Sequence, residues 1–325
     1  MEKAPWLLFT LSTIVCWSAT GLFYKAGILK EREDHTYLKY AVSVGVVFFV
    51  IACVYLVIRD EPFSIWESAV RFWPMTIFGI VYAVINAVSF NGYVYNEVTV
   101  ESPVEGIGAG TSTILLMIVY LMLGRVKSIS SLFSPLRTIG ILIVLVSIIM
   151  LSVARQREGN DGLKNQSAGK IGEFNWFGLG TLIFPVLFAM GDALETIVTG
   201  VCLDTTYGFG MPQGDSIIIV GMASALFALG CWIYIRIKEK RFYNPFKKRF
   251  APRMLGAIAD NVGIVFYSYA MSIDSVSTDP IIAVYPVLVM LGGRVLMKEK
   301  VSPTQYVCLF SIVAGNIMVI ADKII

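Results

Sequence analysis

The chemistry this chain could do rests on acids placed where acids are rare. Asp192 and Glu195 stand three positions apart in an otherwise apolar stretch, and Asp260 lies in another, beside Asn261 and one heptad before Tyr267. A charge at the middle of a bilayer costs about 2.5–3.5 kcal/mol on insertion scales, so such groups face a cavity or a partner. The i, i+3 spacing puts Asp192 and Glu195 on one helix face. Two carboxylates that close disfavour simultaneous ionisation, which suits the pair to proton coupling or charge selectivity. Trp17, Tyr82, Asn86 and Tyr285 join Asp260 as candidate solute-binding residues. Tyr82 and Asn86 are i, i+4 neighbours, and Tyr285 directly precedes Pro286. Aromatic rings beside carboxylates suit a cationic or zwitterionic solute through the ring quadrupole. The same residue types also serve ordinary packing, and a wet helix end tolerates ionised carboxylates without any function.

The rest of the inventory argues against catalysis. The single histidine, His35, lies in a charged segment, which excludes an HExxH metal site and a Ser–His pair within the apolar stretches. No GxxxxGK[ST] loop exists to hold a nucleotide. Cys16, Cys53, Cys202, Cys231 and Cys308 are scattered through apolar runs and read as free thiols behaving as small hydrophobes. No enzyme, metal or cofactor is therefore expected. A net charge of +3 is too small to imply a nucleic-acid partner. Asp274 and Asp279 flank a short turn and are expected to cap helices. Gly106, Gly108 and Gly110 permit close helix approach, and among Glu97, Glu101 and Glu105 only Glu105 is expected to lie deep.

Positioning these residues requires helices in lipid. The 325 residues are 56% hydrophobic and 15% charged, with mean hydropathy +0.72, against roughly 45–50% and about 25% in soluble domains. An integral, multi-pass membrane protein follows, with membrane lipids as its surroundings. A span needs roughly 20 apolar residues. Such stretches run at Pro5–Tyr24, Tyr37–Ile58, Trp73–Tyr95, Ser102–Leu123 and Phe133–Ala154. They resume at Trp176–Val198, Ser216–Ile235, Met254–Met271, Val276–Met297 and Ser302–Ala321. Trp6, Trp66, Trp73, Trp176 and Trp232 fall near predicted span ends, where indole rings favour the headgroup layer, whereas Trp17 falls near mid-depth.

A polar linker over 155–175 separates two five-helix halves, 1–154 and 176–325, that resemble each other. Gly124-Arg125-Val126 matches Gly293-Arg294-Val295 at an offset of 169, while Ser134-Pro135 matches Ser302-Pro303 and Ile149-Met150 matches Ile317-Met318 at 168. An odd number of helices per copy inverts the second relative to the first. The expected fold is all-α, about ten transmembrane helices in two inverted five-helix repeats, an arrangement suited to rocking about a central site.

The segment Cys16-Trp17-Ser18-Ala19-Thr20-Gly21-Leu22-Phe23-Tyr24-Lys25 resembles the opening of EamA-like members of the drug/metabolite transporter superfamily. So does Pro280–Ser302, with Pro286, Glu299 and the nearby Gln305. The chain departs from that pattern at Arg125-Val126-Lys127, which lacks the expected glutamate, and Asp192 and Glu195 map to no family motif. The resemblance implies a secondary carrier of a small organic metabolite, and the acidic, aromatic candidates narrow this to an amine, amino acid or similar solute, with protons as a coupling partner. A lipid or lipid-linked flippase and a multidrug exporter are the alternatives, and a receptor or scaffold would need no acids at mid-depth. Lys and Arg crowd one side, most densely between Arg236 and Arg253. By the positive-inside rule this places that side in the cytoplasm of a plasma (inner) membrane and both termini outside, where the resemblance implies cytoplasmic termini. The sequon Asn165-Gln166-Ser167 would carry glycan only on a lumenal face.

Overall fold

A computed structural model describes residues 4–30, 35–59, 63–90, 112–126, 135–166, 176–298 and 302–324. These residues form helices and connecting turns, with no strand among them. In hydrocarbon every backbone N–H and C=O must be satisfied within the segment, which a helix does by itself. The helices are α1 (Ala4–Lys30), α2 (Thr36–Ile58), α3 (Ile65–Arg71), α4 (Trp73–Ser89), α5 (Ser112–Met122) and α6 (Pro135–Gln166). They continue as α7 (Trp176–Leu203), α8 (Gln213–Glu239), α9 (Ala251–Ile282), α10 (Tyr285–Met297) and α11 (Pro303–Ile324). Among the described residues α1, α2, α8 and α9 are each long and apolar enough to cross a membrane, and α3 with α4 make a fifth such unit bent by 95°. Glu97, Glu101, Glu105, the glycines Gly106, Gly108 and Gly110, Lys127, Ser134, Ser167 and Glu299 lie outside the described residues.

Local chemistry sets several helix ends. Ser64 caps α3 by accepting the Glu67 N–H at 3.2 Å. Ser302 and Gln305 form a reciprocal capping box at the start of α11, with Ser302 N–H donating to Gln305 Oε1 at 2.9 Å. Pro286 has no N–H to offer the Ile282 carbonyl, and the chain breaks at Ala283–Val284 between α9 and α10. The sequence-expected ninth span over Val276–Met297 is therefore two pieces. A kink at the non-helical Asp274 (φ −157°, ψ 84°) separates its first piece, the half-helix 275–282 within α9, from the helix that precedes it. The polar stretch after Ala154 also differs from a simple linker, because α6 carries on through it to Gln166.

Packing pairs distant helices. α1 lies along α9, α2 along α8, and α6 along α11, while α4 sits between α7 and α8. The seams depend on missing side chains. A methyl group at Gly45 in α2 would lie 2.2 Å from Ala228 Cβ and 2.7 Å from the Ser224 carbonyl of α8. One at Gly221 in α8 would lie 2.9 Å from Ala52 Cβ and 3.1 Å from the Phe48 carbonyl of α2. Gly140 and Gly315 hold the α6–α11 seam in the same way, each facing the other's carbonyl. Lys39 pairs with Glu239 at 2.8 Å at the basic end of the bundle, and Arg59 pairs with Asp215 at 2.8 Å at the opposite end.

Candidate functional site

Five helices bring the sequence-selected residues to one place. α1 supplies Trp17, α4 supplies Tyr82 and Asn86, α7 supplies Asp192 and Glu195, α9 supplies Asp260, and α10 supplies Tyr285. All seven line a single narrow cavity. Phe90 and Phe188 complete its aromatic wall, and no Lys, Arg or His is among its lining residues. The cavity holds about 40 Å³, room for roughly two or three waters. An organic solute would fit only after the walls part.

Charge and aromaticity meet in this cavity. Glu195 and Asp260 are 5% and 6% exposed, and Glu195 lies within electrostatic reach of Asp260. Tyr82 faces Glu195 as a hydrogen-bonding partner. Asp260 Oδ2 and Trp17 Nε1 are buried with no hydrogen-bond partner among the described residues. A buried polar atom left unmatched in this way costs about 1–3 kcal/mol, which a ligand supplying the missing partner would recover. Trp17 packs on Tyr267 with ring centroids 5.2 Å apart and meets Tyr285 edge-on at 6.1 Å. Ser18 donates to the Tyr285 carbonyl at 3.2 Å, which ties α1 to the start of α10 beside the helix break.

The two flanks of the cavity are built differently. Toward the basic end, Tyr24, Tyr40 and Phe90 pack as three mutually touching rings, with centroids 4.1, 4.4 and 4.8 Å apart. Toward the opposite end lies a cluster of hydroxyls around Asp279, which is 2% exposed. Thr196 donates to its Oδ1 at 2.9 Å, while Ser112 and Thr113 both donate to its Oδ2, the latter at 3.3 Å. Thr196 also bonds the Tyr267 hydroxyl at 3.1 Å.

Asp274 behaves as the sequence predicts, capping the restarted helix by accepting the Ser277 N–H at 3.1 Å. Asp279 does not. It is the buried centre of a network, because the helix continues past it and carries its carboxylate to the hydroxyls of α5 and α7. Trp6 also departs from expectation: it is 3% exposed and donates to Thr278 Oγ1 at 2.7 Å, while Trp66 and Trp73 are exposed. Sequence reading missed Asp279, Thr196, Phe90 and Phe188. For Asp279 the available signal was Pro280 and the apolar run behind it, which set the acid inside a span.

A protein of known crystal structure is similar to this chain with TM-score 0.61 and 15% identity, over 98% of this chain and 97% of its own; at that identity the likeness concerns the fold alone. No protein-family model matches the chain, and no curated protein matches it.

Proposed function

We propose that this chain is a secondary carrier that moves a small cationic or zwitterionic organic metabolite, such as an amine or amino acid, across a membrane by alternating access. The observation that carries the reading is the cavity: three carboxylates and a wall of aromatic rings on five helices, with no basic lining residue. Buried carboxylates without a cation select for one, and desolvated rings add about 2 kcal/mol for a cation held against a face. The narrowness of the cavity fits a carrier, which must pass through a closed state, better than an open channel.

The proposed architecture is ten spans in two inverted repeats, as in EamA-like members of the drug/metabolite transporter superfamily. Reciprocal contacts support it. Gly45 meets Ser224 and Ala228, and Gly221 meets Phe48 and Ala52. Each residue of one set stands 176 positions from its counterpart in the other (221 − 45, 224 − 48, 228 − 52). Contacts that exchange in this way are what a two-fold relation between halves generates. Val144 and Ile312, 168 positions apart, are both fully buried in the core at the α6–α11 seam. The packing of α1 on α9 likewise has its counterpart in that of α4 on α7.

Purified protein in proteoliposomes tests the reading. Uptake of a panel of labelled amines and amino acids, with and without a pH gradient, is expected to show saturable flux for one class. Asp260→Asn and Glu195→Gln are expected to lower that flux. Intact flux in both variants would overturn the site, and scrambling of labelled lipid in place of solute flux would favour a flippase.

A further inference from the structure

Asp279 shares no lining position with the cavity, yet a continuous chain of polar groups joins the two. Glu195 and Tyr267 both border a second space of about 10 Å³, about the size of one water. Tyr267 bonds Thr196 at 3.1 Å, and Thr196 donates to Asp279 Oδ1 at 2.9 Å. A threonine hydroxyl has one proton. Because Thr196 gives that proton to Asp279, Tyr267 must be the donor in the bond between the two hydroxyls. All the donors therefore point one way, from the cavity toward Asp279.

We propose that Asp279 is a proton-binding site, fed from the solute cavity through Tyr267 and Thr196. A proton from hydronium in the space beside Glu195 bonds to the Tyr267 oxygen. Tyr267 passes its own proton to Thr196, and Thr196 passes its own to Asp279 Oδ1. Hydronium is left as water, each relaying hydroxyl ends with one proton, and the Asp279 carboxylate becomes a neutral acid. The groups facing Asp279 favour this event over cation exchange. From α7 they are Glu195, within electrostatic reach, and Thr196. From α5 they are Ser112 and Thr113, and from its own helix Tyr267 is within electrostatic reach. Asp274 and Asp204 stand at the far end of the half-helix, where Asp204 Oδ2 accepts from Ser275 N and Oγ. Among the described residues no Lys, Arg or His is ion-paired with Asp279. Three hydroxyl donors make the anion tolerable in a dry site, and a proton removes the charge without enlarging the site.

The role in coupling rests on the carrier reading, whereas proton binding does not. The test is infrared difference spectroscopy of the full chain in nanodiscs between neutral and acidic pH. The protonated-carboxyl C=O band is expected to lose a component in Asp279→Asn that survives in Asp192→Asn and Glu195→Gln. Tyr267→Phe keeps all three hydroxyl donors on Asp279. It is expected to retain the component at equilibrium while slowing its rise after a pH jump by about tenfold. A full band in Asp279→Asn, a rise of unchanged rate in Tyr267→Phe, or a component that follows added sodium at fixed pH would each overturn the proposal. If no solute moves in proteoliposomes but the Asp279 component is present, the carrier reading fails and the proton site stands.

Discussion

The aromatic flank and the hydroxyl flank lie toward opposite ends of the molecule from the cavity and hold together by different physics. Tyr24, Tyr40 and Phe90 hold together through area and ring packing, which is worth about 0.5–1.5 kcal/mol per pair beyond burial and has little directional demand. The Asp279 cluster holds through a few directed bonds from Ser112, Thr113 and Thr196. Each loses its value if a partner turns away. The first flank is insensitive to protonation and yields to loss of volume. The second tolerates little loss of a hydroxyl and can be reset by one proton. The carrier proposed above would use the two as barriers that answer to different triggers.

Five substitutions would break or sharpen this contrast. Phe90→Ala removes the ring that both tyrosines touch and is expected to cost about 3–5 kcal/mol, read as a fall in the thermal midpoint of purified protein; an unmoved midpoint would show that the rings are not a packed unit. Between the flanks, Asp260→Asn is expected to weaken binding of a cationic solute by about 10–100-fold, equivalent to about 1.5–3 kcal/mol. Calorimetric titration with the solute found in the flux panel measures it, and equal affinity in the variant would remove Asp260 from the site. Thr196→Val, nearly the same shape, strips bonds from both Asp279 and Tyr267 and is expected to destabilise by about 1–3 kcal/mol, seen as a lower thermal midpoint.

The smallest effect belongs to the aromatic flank. The Tyr40 hydroxyl is buried without a hydrogen-bond partner among the described residues, so Tyr40→Phe is expected to change stability by less than about 0.5 kcal/mol in the unfavourable direction. Its neighbour donates to the Phe90 carbonyl at 3.2 Å, and Tyr24→Phe is expected to cost about 0.5–1.5 kcal/mol. A Tyr40 variant that suffered as much as the Thr196 variant would erase the distinction between a dry flank and a polar one.

How far the site could be read without coordinates depended on depth. Asp192, Glu195 and Asp260 were legible because an acid in an apolar run is costly wherever the helix ends fall. Trp17, Tyr82, Asn86 and Tyr285 were legible by their place near the centres of predicted spans. Asp279 was hidden by its neighbour. Asp274 and Asp279 together look like a turn, and only the half-helix that restarts after the kink at Asp274 carries the second acid into the core. Trp6 misled for the converse reason: its position near a helix end predicts the headgroup layer, but Thr278 of another helix gives its N–H a buried partner.

The sequence alone determined the helical class, the extent of most apolar stretches and the identity of the groups too expensive to leave in lipid, because each follows from local composition and a fixed rise per residue. The tertiary structure decided which helix lies against which, that all seven chosen side chains share one cavity, and that three hydroxyls from α5 and α7 surround Asp279. Those outcomes depend on contacts between residues up to 272 positions apart, where shape at glycine seams and the pairing of polar atoms set the register. No local pattern in the chain encodes that pairing.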